Sequence, residues 1–165
     1  MSALIVNRQL TTDPWHWPEA REPIAALMPA VVPLARLKAE RKSLAGLTDG
    51  QLGVILQPED DPLVLADVLP SLALICVNFP SFTDGRGYSI ARLIRERLGW
   101  KGELRAVGDI QRDQIPYLSR VGFNAFALKP GQDVEAVLGA FNDFSEAYQA
   151  DADQPLPLFR RRAFQ

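Results

Sequence analysis

Between Leu52 and Ala147, four short and almost continuously apolar runs alternate with four stretches whose apolar residues recur at helical spacing. That alternation points to βα units around a parallel sheet, because parallel strands need long crossovers and are buried on both faces. The runs are Leu52 to Gln57, Leu72 to Phe79, Leu104 to Gly108 and Ala125 to Lys129. Their lack of polar alternation separates them from strands with one wet face.

The intervening stretches carry helix punctuation. Ile90, Leu93, Ile94 and Leu98 fall at i, i+3, i+4 and i+8, and Gly99 closes the pattern. Val134, Val137, Leu138, Phe141 and Tyr148 repeat it after the Pro130-Gly131 turn. Pro116 must sit in the first turn of the helix after Asp109 or kink it. The first fifty residues differ, offering a short strand from Ala3 to Val6, a connection through Pro14, Trp15, His16, Trp17 and Pro18, and a helix around Pro33 to Leu44. At 165 residues one domain is expected. The expected architecture is α/β: about four βα units around a mainly parallel sheet in residues 1–150, with residues 1–50 an N-terminal strand/helix extension packing on the sheet. Residues 151–165, with Pro155, Pro157 and the Arg160-Arg161-Arg162 cluster, read as an extended basic tail.

One cysteine and one histidine exclude an intramolecular disulfide, a cysteine/histidine zinc site and a self-contained iron-sulfur cluster. Cys76 lies within an apolar run and reads as a structural thiol. His16, between two tryptophans, reads as an aromatic-packed residue rather than a catalytic one. A net charge of −2 and a pI near 5.4 argue against nucleic acid as a partner. The amino terminus lacks the features of a signal peptide, and no apolar run reaches the length of a membrane span, so a cytoplasmic protein without membrane contact is expected.

Ligands of open parallel sheets bind outside the carboxyl ends of the strands, which selects Gln57, Asn78, Asp109 and Lys129. The loop from Asn78 to Ser89 adds Asp84, Arg86 and Ser89, with Gly85 and Gly87 flanking the arginine and allowing positive φ there. The next loop adds Arg112, Asp113 and Gln114. Arg86, Arg112 and Lys129 on one rim suit a small anion. A purely structural reading is equally available: Asp84 caps the helix and Arg86 pairs with Asp109 or Asp113. Asp109 and Asp113 are the candidate catalytic acid and base, although their spacing equally describes an N-cap and a first-turn acid. No dinucleotide fingerprint, P-loop or nucleophile elbow occurs. No cofactor is predicted, and a flavin or nicotinamide would have to be a diffusible partner.

The segments Phe79 to Ser89, Ala91 to Arg97, Gly102 to Gln114 and Val121 to Phe126 resemble the bacterial domain of unknown function 934 family, with the resemblance running from about Leu34 to Tyr148. Members are often described as oxidoreductases of sulfite reduction and are commonly encoded beside assimilatory sulfite reductase genes. The resemblance implies an accessory protein of sulfur assimilation that binds the reductase, its electron donor or an anionic intermediate. It carries Asp84, Arg86, Asp109, Arg112, Asp113 and Gln114 over as a site without assigned roles. Two alternatives stand beside it: a small enzyme, in name an oxidoreductase, using the strand-end anion site, and a structural interaction module using the Thr83 to Tyr88 loop and the arginine tail. Phe126 to Pro130 is also similar to the end of receiver domains, but Asn78 and Gln57 stand where a receiver needs magnesium-binding aspartates. Four βα units resemble half of an eight-unit barrel, so a homodimer covering an open sheet edge is a further expectation.

Overall fold

The structure, a computed structural model, describes residues 3–19, 22–24, 27–40 and 50–143. Its strands are β1 (Leu4–Val6), β2 (Gln9–Thr11), β3 (Ala30–Pro33), β4 (Leu52–Leu56), β5 (Leu72–Phe79), β6 (Glu103–Gly108) and β7 (Ala125–Ala127). They form one sheet in the order β2-β1-β7-β6-β5-β4-β3. From β3 to β7 every strand lies parallel beside its neighbour in the sequence, whereas β1 runs antiparallel to both β7 and β2.

This order steps in one direction and never reverses, unlike a receiver-type sheet, so it has no topological switch point. Right-handed crossovers all stepping the same way place their helices on a single face. The side chains agree. Val32, Val54, Leu56, Ile75, Val77, Leu104, Ala106 and Phe126 share one core with buried residues of every described helix, including Leu37, Ile90, Ile94, Leu118 and Val137. The opposite face holds a small cluster of strand residues, Val31, Leu74, Cys76 and Val107, with Trp15, Ile55 and Ala127 packed against it.

The helices are α1 (Leu34–Ala39), α2 (Arg86–Arg92), α3 (Ile115–Arg120) and α4 (Val134–Ala140). α2 continues into a π-helical turn over Leu93–Arg97 that ends at Gly99, where φ is 65°. Pro116 lies in the first turn of α3, where its missing N–H costs nothing. After β4 the expected helix is replaced by two short 3-10 turns, Pro62–Leu65 and Leu69–Ser71; Pro62 and Pro70 each open one and prevent a longer element. The end of the expected first helix, Tyr148 of the last one and the basic tail lie outside the described residues.

The amino-terminal segment covers the sheet more specifically than its sequence suggested. Asn7 and Arg8, at φ 50° and 65°, turn the β1–β2 hairpin as a mirror-image turn requires. The chain then crosses the opposite face, on which no described helix packs. Asp13 meets Arg105 at 2.9 Å, and Trp15 packs over Gly53, where a Cβ would come within 3.3 Å of its ring. His16 is exposed rather than packed between aromatics; its backbone N–H donates to Pro29 and its carbonyl accepts from Val31, capping the outer edge of β3. Trp15 makes the packing contact expected of the histidine. Cys76 is fully buried, and burial raises its thiol pKa far above the usual range, so it is the structural thiol expected. No described helix is long and apolar enough to cross a membrane.

Candidate functional site

The strand-end residues meet in two pairs. Asn78 donates through Nδ2 to Gln57 Oε1 at 2.8 Å, joining the ends of β4 and β5. Lys129, just past β7, donates through Nζ to Asp109 Oδ1 at 2.8 Å. Asp109 is placed by Gly108, whose φ of 95° turns the chain out of β6 so that the Asp109 N–H reaches the Phe79 carbonyl at 2.6 Å. The second Asp109 oxygen accepts the Phe82 N–H at 3.1 Å, and Gln111 Nε2 donates to Oδ1 at 3.1 Å.

The loop between β5 and α2 is therefore anchored from outside. Gln114 holds its other side, donating through Nε2 to the Phe82 carbonyl at 2.8 Å while its Oε1 accepts the Gln111 N–H. Both backbone polar groups of Phe82 are thus held, yet the residue stays 54% exposed. Asp84 and Arg86 close on each other: Nε and Nη2 of Arg86 donate to the two carboxylate oxygens at 3.0 and 2.6 Å, and the Arg86 N–H reaches Oδ1. The expected partners of Arg86, Asp109 and Asp113, are not its partners.

The flanking glycines also act differently from expectation. Gly85 sits at φ −81°, ordinary helical backbone, and Gly87 lies within α2. Gly87 matters for space, since a Cβ there would collide with the buried Phe79 ring. Ser89 is exposed on α2, and Asp113 is an exposed first-turn acid of the 3-10 turn Arg112–Gln114. Arg112 turns away to α4, donating to the Ala136 carbonyl and pairing with Asp143 at 2.8 Å. Each of the three cations therefore faces a carboxylate: Arg86 with Asp84, Arg112 with Asp143 and Lys129 with Asp109.

That pairing sets the chemistry. The Lys129 hydrogen bond, then the Phe82 N–H, hold Asp109 below the ordinary carboxylate range, and the Arg86 side chain does the same for Asp84. A depressed carboxylate is a weak base near neutrality. In an NMR pH titration, Asp109 is expected to titrate below the ordinary aspartate range, and Lys129→Met to return it upward. Because the folded value is depressed, the pairing stabilises the fold above the ordinary range and is lost as pH falls through the depressed value. Identical acid titrations of Asp109 in the two proteins would remove this assignment.

Sequence reasoning missed Phe82 and Gln111. The visible signal was an aromatic residue in an otherwise polar loop; only the structure reveals that its backbone is fixed and its ring is left outside. Among the described residues, no three His, Cys, Asp or Glu side chains gather as a metal site.

Fold and rim together define a singly wound α/β protein whose described helices line one face and whose strand ends carry a self-paired polar rim. The chain belongs to the family of bacterial proteins of unknown function designated DUF934, whose sequence profile matches residues 53–159. The match takes in all of β4 but its first residue, β5 to β7 and the whole rim, while β1 to β3 lie ahead of it. No curated protein matches the chain.

Proposed function

We propose that this protein is a cytoplasmic accessory factor of assimilatory sulfite reduction that docks, through the loop between β5 and α2, on sulfite reductase or its electron donor. The observation carrying this reading is Phe82: an exposed aromatic side chain whose backbone N–H and C=O are both tied down, by Asp109 and Gln114. A rigid aromatic anchor loses little conformational freedom on binding, the property that makes such residues interface hot spots. Tyr117, 51% exposed on α3, supplies a second aromatic residue beyond Gln114, and Arg86 adds a charged rim. The sulfur-assimilation assignment rests on the family resemblance.

A protein partner is favoured over a free sulfur oxyanion because every rim cation already has a carboxylate. An enzymatic role for Asp109 is disfavoured by its depressed pKa. The test is a binding measurement between the purified protein and sulfite reductase, and separately its electron donor. Phe82→Ala is expected to weaken the complex by about tenfold or more, a typical hot-spot loss, with folding unchanged. Absence of binding to either partner overturns the reading, and so does a Phe82→Ala protein that binds as tightly as wild type.

A further inference from the structure

A second concavity opens at the other end of the sheet, on the side where the parallel strands begin. It has a volume of about 580 Å³ and is walled by the β1–β2 turn, the π-helical turn after α2 and the segments leading into β6 and β7. That size lies within the range of about 300–1,000 Å³ usual for small-molecule sites. Phe123, Phe126 and Phe141 supply apolar walls, and the Arg8 guanidinium stands 5.5 Å from the centre of the Phe141 ring.

Trp100 and Ser119 are among its lining residues, while the Trp100 indole N–H and the Ser119 hydroxyl themselves are buried beneath its surface without a protein hydrogen-bond partner. An indole N–H can only donate, so what it lacks is an acceptor. A buried polar group without a partner is costly.

The charge has the same sense. Arg95, on the π-helical turn, donates to the carbonyls of Gly122, Trp100 and Gly102 and to the Asn124 amide oxygen, all of them neutral acceptors. Burial lowers its pKa, but a guanidinium stays charged. Arg8 and Lys101 add two further cations at the wall. The lining acid, Glu96, already accepts from Arg92 at 2.9 Å. Two glycines make this construction fit: a Cβ at Gly102 would collide with the Trp100 ring, and one at Gly122 would collide with the Arg95 stem. A π-helical turn, often found at functional sites, carries Arg95 into place.

We infer that this cavity is a binding site for a small planar aromatic anion, its ring against the apolar wall and its anionic oxygens accepting from the Arg8 and Lys101 cations beside Arg95. The inference is independent of the docking loop, which lies at the opposite end of the strands.

The test follows the Trp100 indole N–H resonance by NMR, assigned with Trp100→Phe, while 1-naphthoate, 1-naphthyl phosphate or the neutral 1-naphthalenemethanol is added. Saturable movement of that resonance is expected with at least one anion, and about tenfold weaker binding with the alcohol. The tighter anion tells whether the natural head group is a carboxylate or a phosphate. Arg8→Gln with Lys101→Ala, both at exposed positions, is expected to weaken the anion selectively and leave the alcohol as it was. The inference is overturned if neither anion moves the Trp100 resonance at millimolar concentration. It is equally overturned if the alcohol binds as tightly as the anions, or if the double variant binds them as wild type does.

Discussion

Gly108→Ala is expected to destabilise the protein by about 3 kcal/mol, the sum of a positive-φ penalty and a steric clash with rigid backbone. Gly108 has a φ of 95°, and a Cβ there would collide with the Phe79 carbonyl and lie 2.7 Å from Asn78 Oδ1. Neither neighbour can yield cheaply. The Phe79 carbonyl accepts the Asp109 N–H, and Asn78 is bonded to Gln57. For a chain of this size the loss corresponds to a fall in Tm of roughly 6–12 °C. Gly85→Ala is the control: φ is −81°, nothing lies within 4 Å of a Cβ, and the cost should stay within about 0.5 kcal/mol. Equal melting temperatures for the two variants would refute the account of how β6 delivers Asp109 to the rim.

Arg105→Ala is expected to cost about 3–5 kcal/mol, the usual penalty for removing one member of a buried ion pair. Arg105 is 1% exposed on the sheet face away from the described helices, opposite Cys76 on β5, and holds Glu103 at 2.7 Å and Asp13 at 2.9 Å. Its loss leaves two carboxylates near each other and releases the segment that crosses this face. Adding Asp13→Asn and Glu103→Gln to Arg105→Ala should recover part of the loss, because the uncompensated charges go with the arginine. Cys76 provides a second readout. Its buried thiol should resist iodoacetamide in the wild type and react measurably faster in Arg105→Ala under native conditions. If the single variant is as stable and as protected as wild type, the amino-terminal segment is not held by this cluster.

Central strands were legible because their apolar runs are nearly unbroken: β5 spans the predicted Leu72 to Phe79, and β4 and β6 differ from prediction by one residue at one end. β2 was not, since Gln9–Thr11 is wholly exposed and carries no burial pattern. β3 is a four-residue run closed by Pro33, and that proline marked the start of the next helix more strongly than the end of a strand. The rim was half legible. Strand polarity brought Gln57 to Asn78 and Asp109 to Lys129, but which carboxylate takes which cation depends on side-chain reach, so Arg86 turned to Asp84 and Arg112 left for α4. The second cavity had no linear signature because Arg8, the Arg95 to Lys101 stretch and the Ser119 to Phe126 stretch are far apart along the chain.

The sheet order also dictates a schedule for assembly. Strands β3 to β7 each pair with the one just made, so this part of the sheet can grow as the chain emerges. The hairpin of β1 and β2 is made before the other described strands, yet its partner β7 is the last of them to appear. Until then the hairpin has no sheet to join, and a two-stranded hairpin alone is marginal in water. Closing that long loop completes the sheet and, with Asn7 and Arg8, the wall of the second cavity. A ribosome-bound chain stopped before Ala125 would therefore hold a growing parallel sheet and a still unattached amino terminus.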